Sequence, residues 1–257
     1  MVELYIHYIY VPEEIKEQND QLVLVCGVSA TGKSASLRNI KNQERWLYLG
    51  TEAGKRLPFK NKFNAKRVDD PYQVPMAFEY AIEHQNDFDG IIVDSLTFLM
   101  DMYESRYVLT APNTMKAWSD FQQYFKDLMQ DKVIRFGKPV IFIAHTLKIL
   151  NENTGEWEVS VPIKGALKNN GIEAYFSTVV ASKKVPLKDL KDYKSDLLHI
   201  TEEDEAVGFK YVFQTRLTKS TTGERIRSPM GLFSKDETFM DNDVQILLDH
   251  LNKFYND

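Results

Sequence analysis

Apolar runs alternate along the chain with segments that repeat their apolar residues at helical spacing. Leu22-Val23-Leu24-Val25-Cys26, Arg45 to Thr51, Ile91-Ile92-Val93-Asp94-Ser95, Val140 to Ala144 and Tyr175 to Ser182 read as strands, with a short one at Ala65 to Val68. Between them, Ser34 to Lys41, Tyr72 to Gln85, Leu96 to Tyr107 and Met115 to Phe136 read as helices, and Gly137-Lys138-Pro139 stops the last. Asp243 to Tyr255 carries Val244, Leu247, Leu248, Leu251 and Phe254 on one face, the stripe of a docked helix. Near the start, Leu4 to Val11 reads as a strand ended by Pro12. It is either an edge strand of the main sheet or a strand that pairs with a neighbouring subunit.

Leu147 to Asn170 is polar and turn-rich, which suggests a long hairpin-like loop around Asn153-Thr154-Gly155. Val185 to Glu205 is strongly charged and reads as a surface excursion. Phe209 to Thr218 and Glu224 to Ser228 read as a hairpin across Thr221-Thr222-Gly223. The alternation predicts an α/β fold, a mostly parallel central sheet with helices on both faces and a C-terminal antiparallel hairpin. With no repeat or linker-like tract, 1–257 is expected to be one domain, with a core over 20–183, a hairpin at 209–229 and a terminal helix at 243–255.

Composition narrows the partners. Of 257 residues, 43% are hydrophobic, so a packed core is expected and disorder is not. The net charge of −5 excludes a uniformly basic nucleic-acid-binding surface but not a local basic patch or a ring of basic loops built by assembly. One cysteine, Cys26, suits a small core residue and a reducing, cytoplasmic setting. The first ten residues lack a basic stretch and include Glu3 and His7, which argues against a signal peptide. No apolar run approaches the length of a membrane span.

The chemistry gathers at strand ends. Gly27-Val28-Ser29-Ala30-Thr31-Gly32-Lys33-Ser34 is G-x-x-x-x-G-K-[ST], with a strand before it and a helix-compatible segment after it. Its backbone would cradle the phosphates of ATP from Gly27, Ser29, Ala30, Thr31 and Gly32. Lys33 would reach the β- and γ-phosphates, and Ser34 would bind Mg²⁺. Asp94 would hold that metal as a Walker-B acid, or cap the helix from Leu96. Glu52 is the candidate general base for an attacking water, or a solvated loop glutamate. His145 could sense the γ-phosphate and report it to the loop that follows, or be a satisfied buried histidine. Arg216 and Lys219 could act on the γ-phosphate of an adjacent subunit, or be a solvated basic turn. Arg106, Lys116, Lys148, Lys164 and Lys168 lie in the two loops after the Asp94 helix and after His145. They could contact a DNA backbone, with Trp157 stacking on a base, or be ordinary loop residues. Glu152, Glu156 and Glu158 oppose DNA contact at the second loop's tip.

These residues resemble the RecA/RadA ATPase core over about residues 20 to 230. Ile91 to Ser95 looks like that family's Walker B, and Thr51-Glu52-Ala53-Gly54 its catalytic-glutamate segment. Ile141-Phe142-Ile143-Ala144-His145 is similar to its sensor strand, where His replaces the usual Gln. Phe209 to Pro229 is similar to its hairpin with trans-acting cations. The compact length looks most like the small RecA-like ATPases of phages, a group that includes single-strand annealing proteins working beside a single-stranded-DNA-binding protein. The resemblance implies a P-loop NTPase of RecA type and a Mg²⁺-dependent, DNA-stimulated ATPase. It also implies a homo-oligomer, filament or ring, with ATP at subunit interfaces, and single-stranded DNA as partner in the host cytoplasm. The other readings are a hexameric helicase or packaging-type motor, a small-molecule kinase, and a nucleotide-gated scaffold without DNA activity. A kinase lid would need an arginine, which Val185 to Glu205 lacks.

Overall fold

A computed structural model describes residues 19–256, apart from 53, 153, 154 and 166. The strand expected at Leu4 to Val11 lies outside the described residues. Among the described residues there are ten strands: β1 Leu22–Gly27, β2 Trp46–Gly50, β3 Asn64–Arg67, β4 Gly90–Asp94, β5 Val140–His145, β6 Leu147–Asn151, β7 Glu156–Ser160, β8 Thr178–Pro186, β9 Phe209–Gln214 and β10 Phe239–Asp241. The helices are α1 Gln73–Glu83, α2 Leu96–Tyr103, α3 Thr114–Asp127, α4 Val133–Phe136, α5 Leu167–Asn170, α6 Glu202–Val207 and α7 Val244–Asn256. Alpha-3 and α4 are one rod joined by a π-helical stretch, Leu128–Lys132, and Gly137, at φ +61°, ends it with a left-handed cap that glycine adopts without strain.

Eight strands form one sheet in the order β10-β9-β8-β1-β5-β4-β2-β3. The six from β8 to β3 are parallel, and β9 and β10 add antiparallel pairings at the far edge. The period of two explains why the central strands are apolar throughout. In β1, Leu22, Leu24 and Cys26 pack on the face covered by α1 to α4, while Val23 and Val25 pack with Leu37 and the α7 residues Val244, Leu247, Leu248 and Leu251.

One pairing and one helix differ from expectation. Glu224 to Ser228 does not return along β9: β9 pairs with β8 and β10, Glu224 bridges Val159, and Arg227 bridges Val179. The C-terminal antiparallel part is therefore the β8-β9-β10 edge, and residues 215–238 form an irregular excursion. The segment after the P-loop is also shorter than a helix to Lys41. It makes one 3-10 turn, Ser34–Leu37, and the chain reverses at Asn42, at φ +50°. Contacts with α7 hold it there: the Asn39 amide donates to Asp243, and Lys41 pairs with Asp249. The loop expected around Asn153-Thr154-Gly155 is a separate two-stranded sheet, β6 paired with β7 from Leu147–Ser160 to Asn151–Glu156.

Candidate nucleotide site

The parallel strands end on one edge of the sheet, and the crevice beyond such an edge is where ligands bind in this architecture. Gly27 ends β1, Glu52 follows β2, Asp94 ends β4 and His145 ends β5. Beta-5 lies between β1 and β4, so His145 stands between the P-loop and Asp94.

The P-loop turn requires its glycines. A Cβ on Gly27 would meet the Ser182 carbonyl oxygen at 2.5 Å. Gly32, at φ +91°, has the Asn242 amide where a Cβ would go, also at 2.5 Å. Outside the motif, Asn242 Nδ2 donates to the Gly32 carbonyl (2.9 Å) and Ser182 Oγ donates to the Thr31 carbonyl (2.7 Å). Strand β8 and the entry to α7 thus hold the loop's shape. Lys33 Nζ donates to the carbonyls of Gly27 (2.9 Å) and Val28 (2.7 Å). Burial lowers its ammonium to about 8, with the Asp94 carboxylate opposing that shift.

Asp94 is buried. Tyr48 donates its phenol to Oδ2 at 3.0 Å, while Oδ1 has no protein partner. Burial pushes the Asp94 carboxyl up, and hydrogen bonds from Ser34 and Tyr48 pull it back. The cap of α2 is Ser95, whose hydroxyl accepts from the Phe98 N–H, so Asp94 is not spent on capping. A buried carboxylate oxygen without a partner, beside a serine hydroxyl, fits a Mg²⁺ whose other ligands are phosphate and water. No cluster of three or more His, Cys, Asp or Glu side chains able to cage a metal occurs among the described residues, and phosphate-bound Mg²⁺ requires none.

A cleft of about 200 Å³ opens over this arrangement, lined by Ser29 to Ala35 and by Glu52, Lys55, Arg56, Pro58 and His145. Glu52 accepts from His145 Nε2 at 3.3 Å and pairs with Lys55 through its other oxygen. Burial alone would raise the Glu52 carboxyl, but the bonds from Lys55 and His145 outweigh it, and the net shift is downward. Glu52 therefore stays ionised at neutral pH. The backbone of His145 is fixed by Thr97 Oγ1, which accepts its N–H at 2.9 Å, and Phe98 packs edge-on to the ring at 5.8 Å. One residue on, the Thr146 N–H donates to the Gly27 carbonyl at 3.2 Å, and β6 begins at Leu147.

The other expected site residues lie apart. After Gln214 the chain runs away from the P-loop edge, because β9 is antiparallel to β8. Arg216 there donates to the Phe233 carbonyl at 2.6 Å, and Lys219 is exposed. Within one subunit neither is brought to the cleft. The five loop cations do not form one stripe. Arg106 pairs with Asp70, Lys116 with Asp120 and Lys164 with Glu104. Lys116 borders a hollow of about 890 Å³ beside Tyr72, Tyr103, Tyr107 and Tyr124. Lys164 and Lys168 border one of about 470 Å³ under the β6–β7 hairpin, and Lys148 one of about 340 Å³ against the P-loop. Lys148 also lies over the exposed Trp157 ring, 4.9 Å from its centroid. Cys26 is buried, and its thiol is pushed up by that burial, consistent with a packing role.

Sequence reading passed over Tyr48, Lys55, Arg56, Ser182 and Asn242. Lys55 and Arg56 follow the Glu52 strand end directly, a placement that could have flagged them. Ser182 and Asn242 carry no local signal, since their role arises only from β8 lying beside β1 and from where β10 ends.

The family described as "AAA domain" matches residues 19–189. No curated protein matches the chain. Among solved structures, the crystal structure of the RadB recombinase matches 65% of this chain and 76% of that chain, at 16% identity and a TM-score of 0.41.

Proposed function

The chain belongs to the AAA-domain family of P-loop ATPases, and from that premise we propose that it hydrolyses Mg·ATP and uses the nucleotide state to set the β6–β7 hairpin against single-stranded DNA. The observation that carries the reading is the Glu52–His145 contact. It joins the candidate general base to the residue that leads, through Thr146, into the hairpin.

The roles follow from the geometry. The P-loop backbone and Lys33 bind and orient the phosphates. Ser34 and Asp94 would hold Mg²⁺, which supplies charge neutralisation at the phosphates when bound. Glu52, ionised and half-sheltered, orients an attacking water and accepts its proton. Its bond to His145 is one it must weaken to do so, which gives the hairpin a mechanical link to the reaction. Lys148, Lys168 and the exposed Trp157 are the residues through which the hairpin side would meet DNA, while Arg216 and Lys219 remain available to a neighbouring subunit in an oligomer. The activity proposed is annealing or strand pairing in recombination, with a single-stranded-DNA-binding protein as co-worker. Among the described residues no helix is long and apolar enough to cross a membrane.

The test is phosphate release with and without single-stranded DNA, with electron microscopy of the same samples. The expected result is stimulation that falls steeply as salt rises from 50 to 200 mM, together with filaments or rings. An unstimulated ATPase that stays monomeric sinks the DNA reading. DNA unwinding coupled to hydrolysis favours a helicase-type motor instead.

A further inference from the structure

The catalytic groups stand on one side of the P-loop only. Glu52, Asp94 and His145 follow or end β2, β4 and β5, and all three strands lie on the same side of β1 in the sheet. A triphosphate whose terminal phosphate points to those groups runs its α-phosphate, and the nucleoside after it, toward the other side, over β8 and β9.

That side carries an aromatic residue in the right place. Tyr211 of β9 is exposed, and its Cδ1 lies 3.5 Å from where a Cβ on Gly32 would stand. It shares a sheet face with Phe213, which packs in the cluster containing Leu37 and α7, so it projects on the face where the P-loop turn sits. Asn242 contacts the same Gly32, and its carbonyl accepts from Arg38 at 3.4 Å. Gly32 thus adjoins both Tyr211 and the buried Asn242, and Arg38 reaches the Asn242 carbonyl, at the end of the phosphate cradle. Directly across from Tyr211 on β8, Lys184 is held 3.7 Å over the Phe209 ring, which closes the outer side.

We infer that this surface is the nucleoside subsite, with the purine stacking on the exposed face of Tyr211. The inference rests on the proposed ATP site and adds what that site does not supply, a contact to the base. The ring meets Phe209 edge to face, with centroids 5.6 Å apart, and is otherwise exposed beside a phosphate loop, where stacking needs only a ring face. Tyr211 lies outside residues 19–189, the span matched by the family.

The experiment is equilibrium binding of two probes, Mg·ATP and Mg·tripolyphosphate, to wild type, Tyr211→Ala, Tyr211→Phe and Tyr211→Trp. Tripolyphosphate has the phosphates without the base. Tyr211→Ala is expected to weaken ATP about tenfold and leave tripolyphosphate unchanged, with Phe and Trp restoring ATP binding. Equal weakening of both probes would make Tyr211 a brace for Gly32 and overturn the subsite. No weakening of either overturns it too. Failure of the ATP reading is distinct: wild type would then bind neither probe, or bind ATP undiminished in Lys33→Ala.

Discussion

Glu52→Gln is expected to lower ATP turnover about 10³-fold while Mg·ATP binds with nearly wild-type affinity. Gln keeps the size of the side chain and can still meet His145 Nε2, so the cleft should persist. What it cannot do is accept a proton from water. The downward shift of the Glu52 carboxyl under the influence of Lys55 and His145 also gives the wild-type enzyme a sign for its pH profile. A depressed carboxyl remains a base as pH falls below neutrality, so turnover should hold into mildly acidic solution before declining. Single-turnover phosphate release alongside nucleotide binding separates the two effects. Turnover within a few fold of wild type would remove Glu52 from the chemistry.

Lys33→Ala is expected to weaken Mg·ATP by about 2–3 kcal/mol, roughly thirtyfold to over a hundredfold, from the loss of charge-assisted bonds to phosphate. Its Nζ lies on the Gly27 and Val28 carbonyls, within the loop that would receive the phosphates. The wild-type protein should show the same dependence through pH. Burial lowers the ammonium to about 8, so the cation is present below that pH and is lost above it. Phosphate favours the charged form, hence ATP affinity should fall as pH rises past about 8, and binding there should take up a proton. Titration calorimetry in two buffers of different ionisation enthalpy measures both. A retained affinity in Lys33→Ala would mean that the phosphates sit elsewhere.

Much of this was legible in the residues themselves. The G-x-x-x-x-G-K-S motif, the acid closing Ile91-Ile92-Val93 and the glutamate after Tyr48-Leu49-Gly50 sit at the ends of buried parallel strands, whose apolar runs leave little choice of structure. What sequence could not carry was partnership. Glu52 and His145 are 93 residues apart and meet only because β5 inserts beside β4. Period-two patterning found β9 but not its neighbours, since alternation says which face is buried and not which strand lies alongside. Hence the expected return of Glu224 along β9 is replaced by a bridge to Val159 of β7. The helix after the P-loop falls short where Asn39 and Lys41 find partners at the entry to α7 and on it, over two hundred residues on. Three of the loop cations, which sequence leaves as either DNA contacts or ordinary loop residues, pair with acids. Asp70, Asp120 and Glu104 lie 36, 4 and 60 residues from Arg106, Lys116 and Lys164, and only the middle pair shows in sequence spacing.

The central claim is that the γ-phosphate speaks to the β6–β7 hairpin through Glu52 and His145. Amide hydrogen exchange over Leu147–Asn151 and Glu156–Ser160 tests it most directly, compared between Mg·ADP and a Mg-bound non-hydrolysable ATP analogue. Hairpin protection is expected to differ between the two nucleotides in wild type, and the difference to vanish in His145→Ala while analogue binding persists. Equal hairpin exchange in both nucleotide states of the wild-type protein would contradict it.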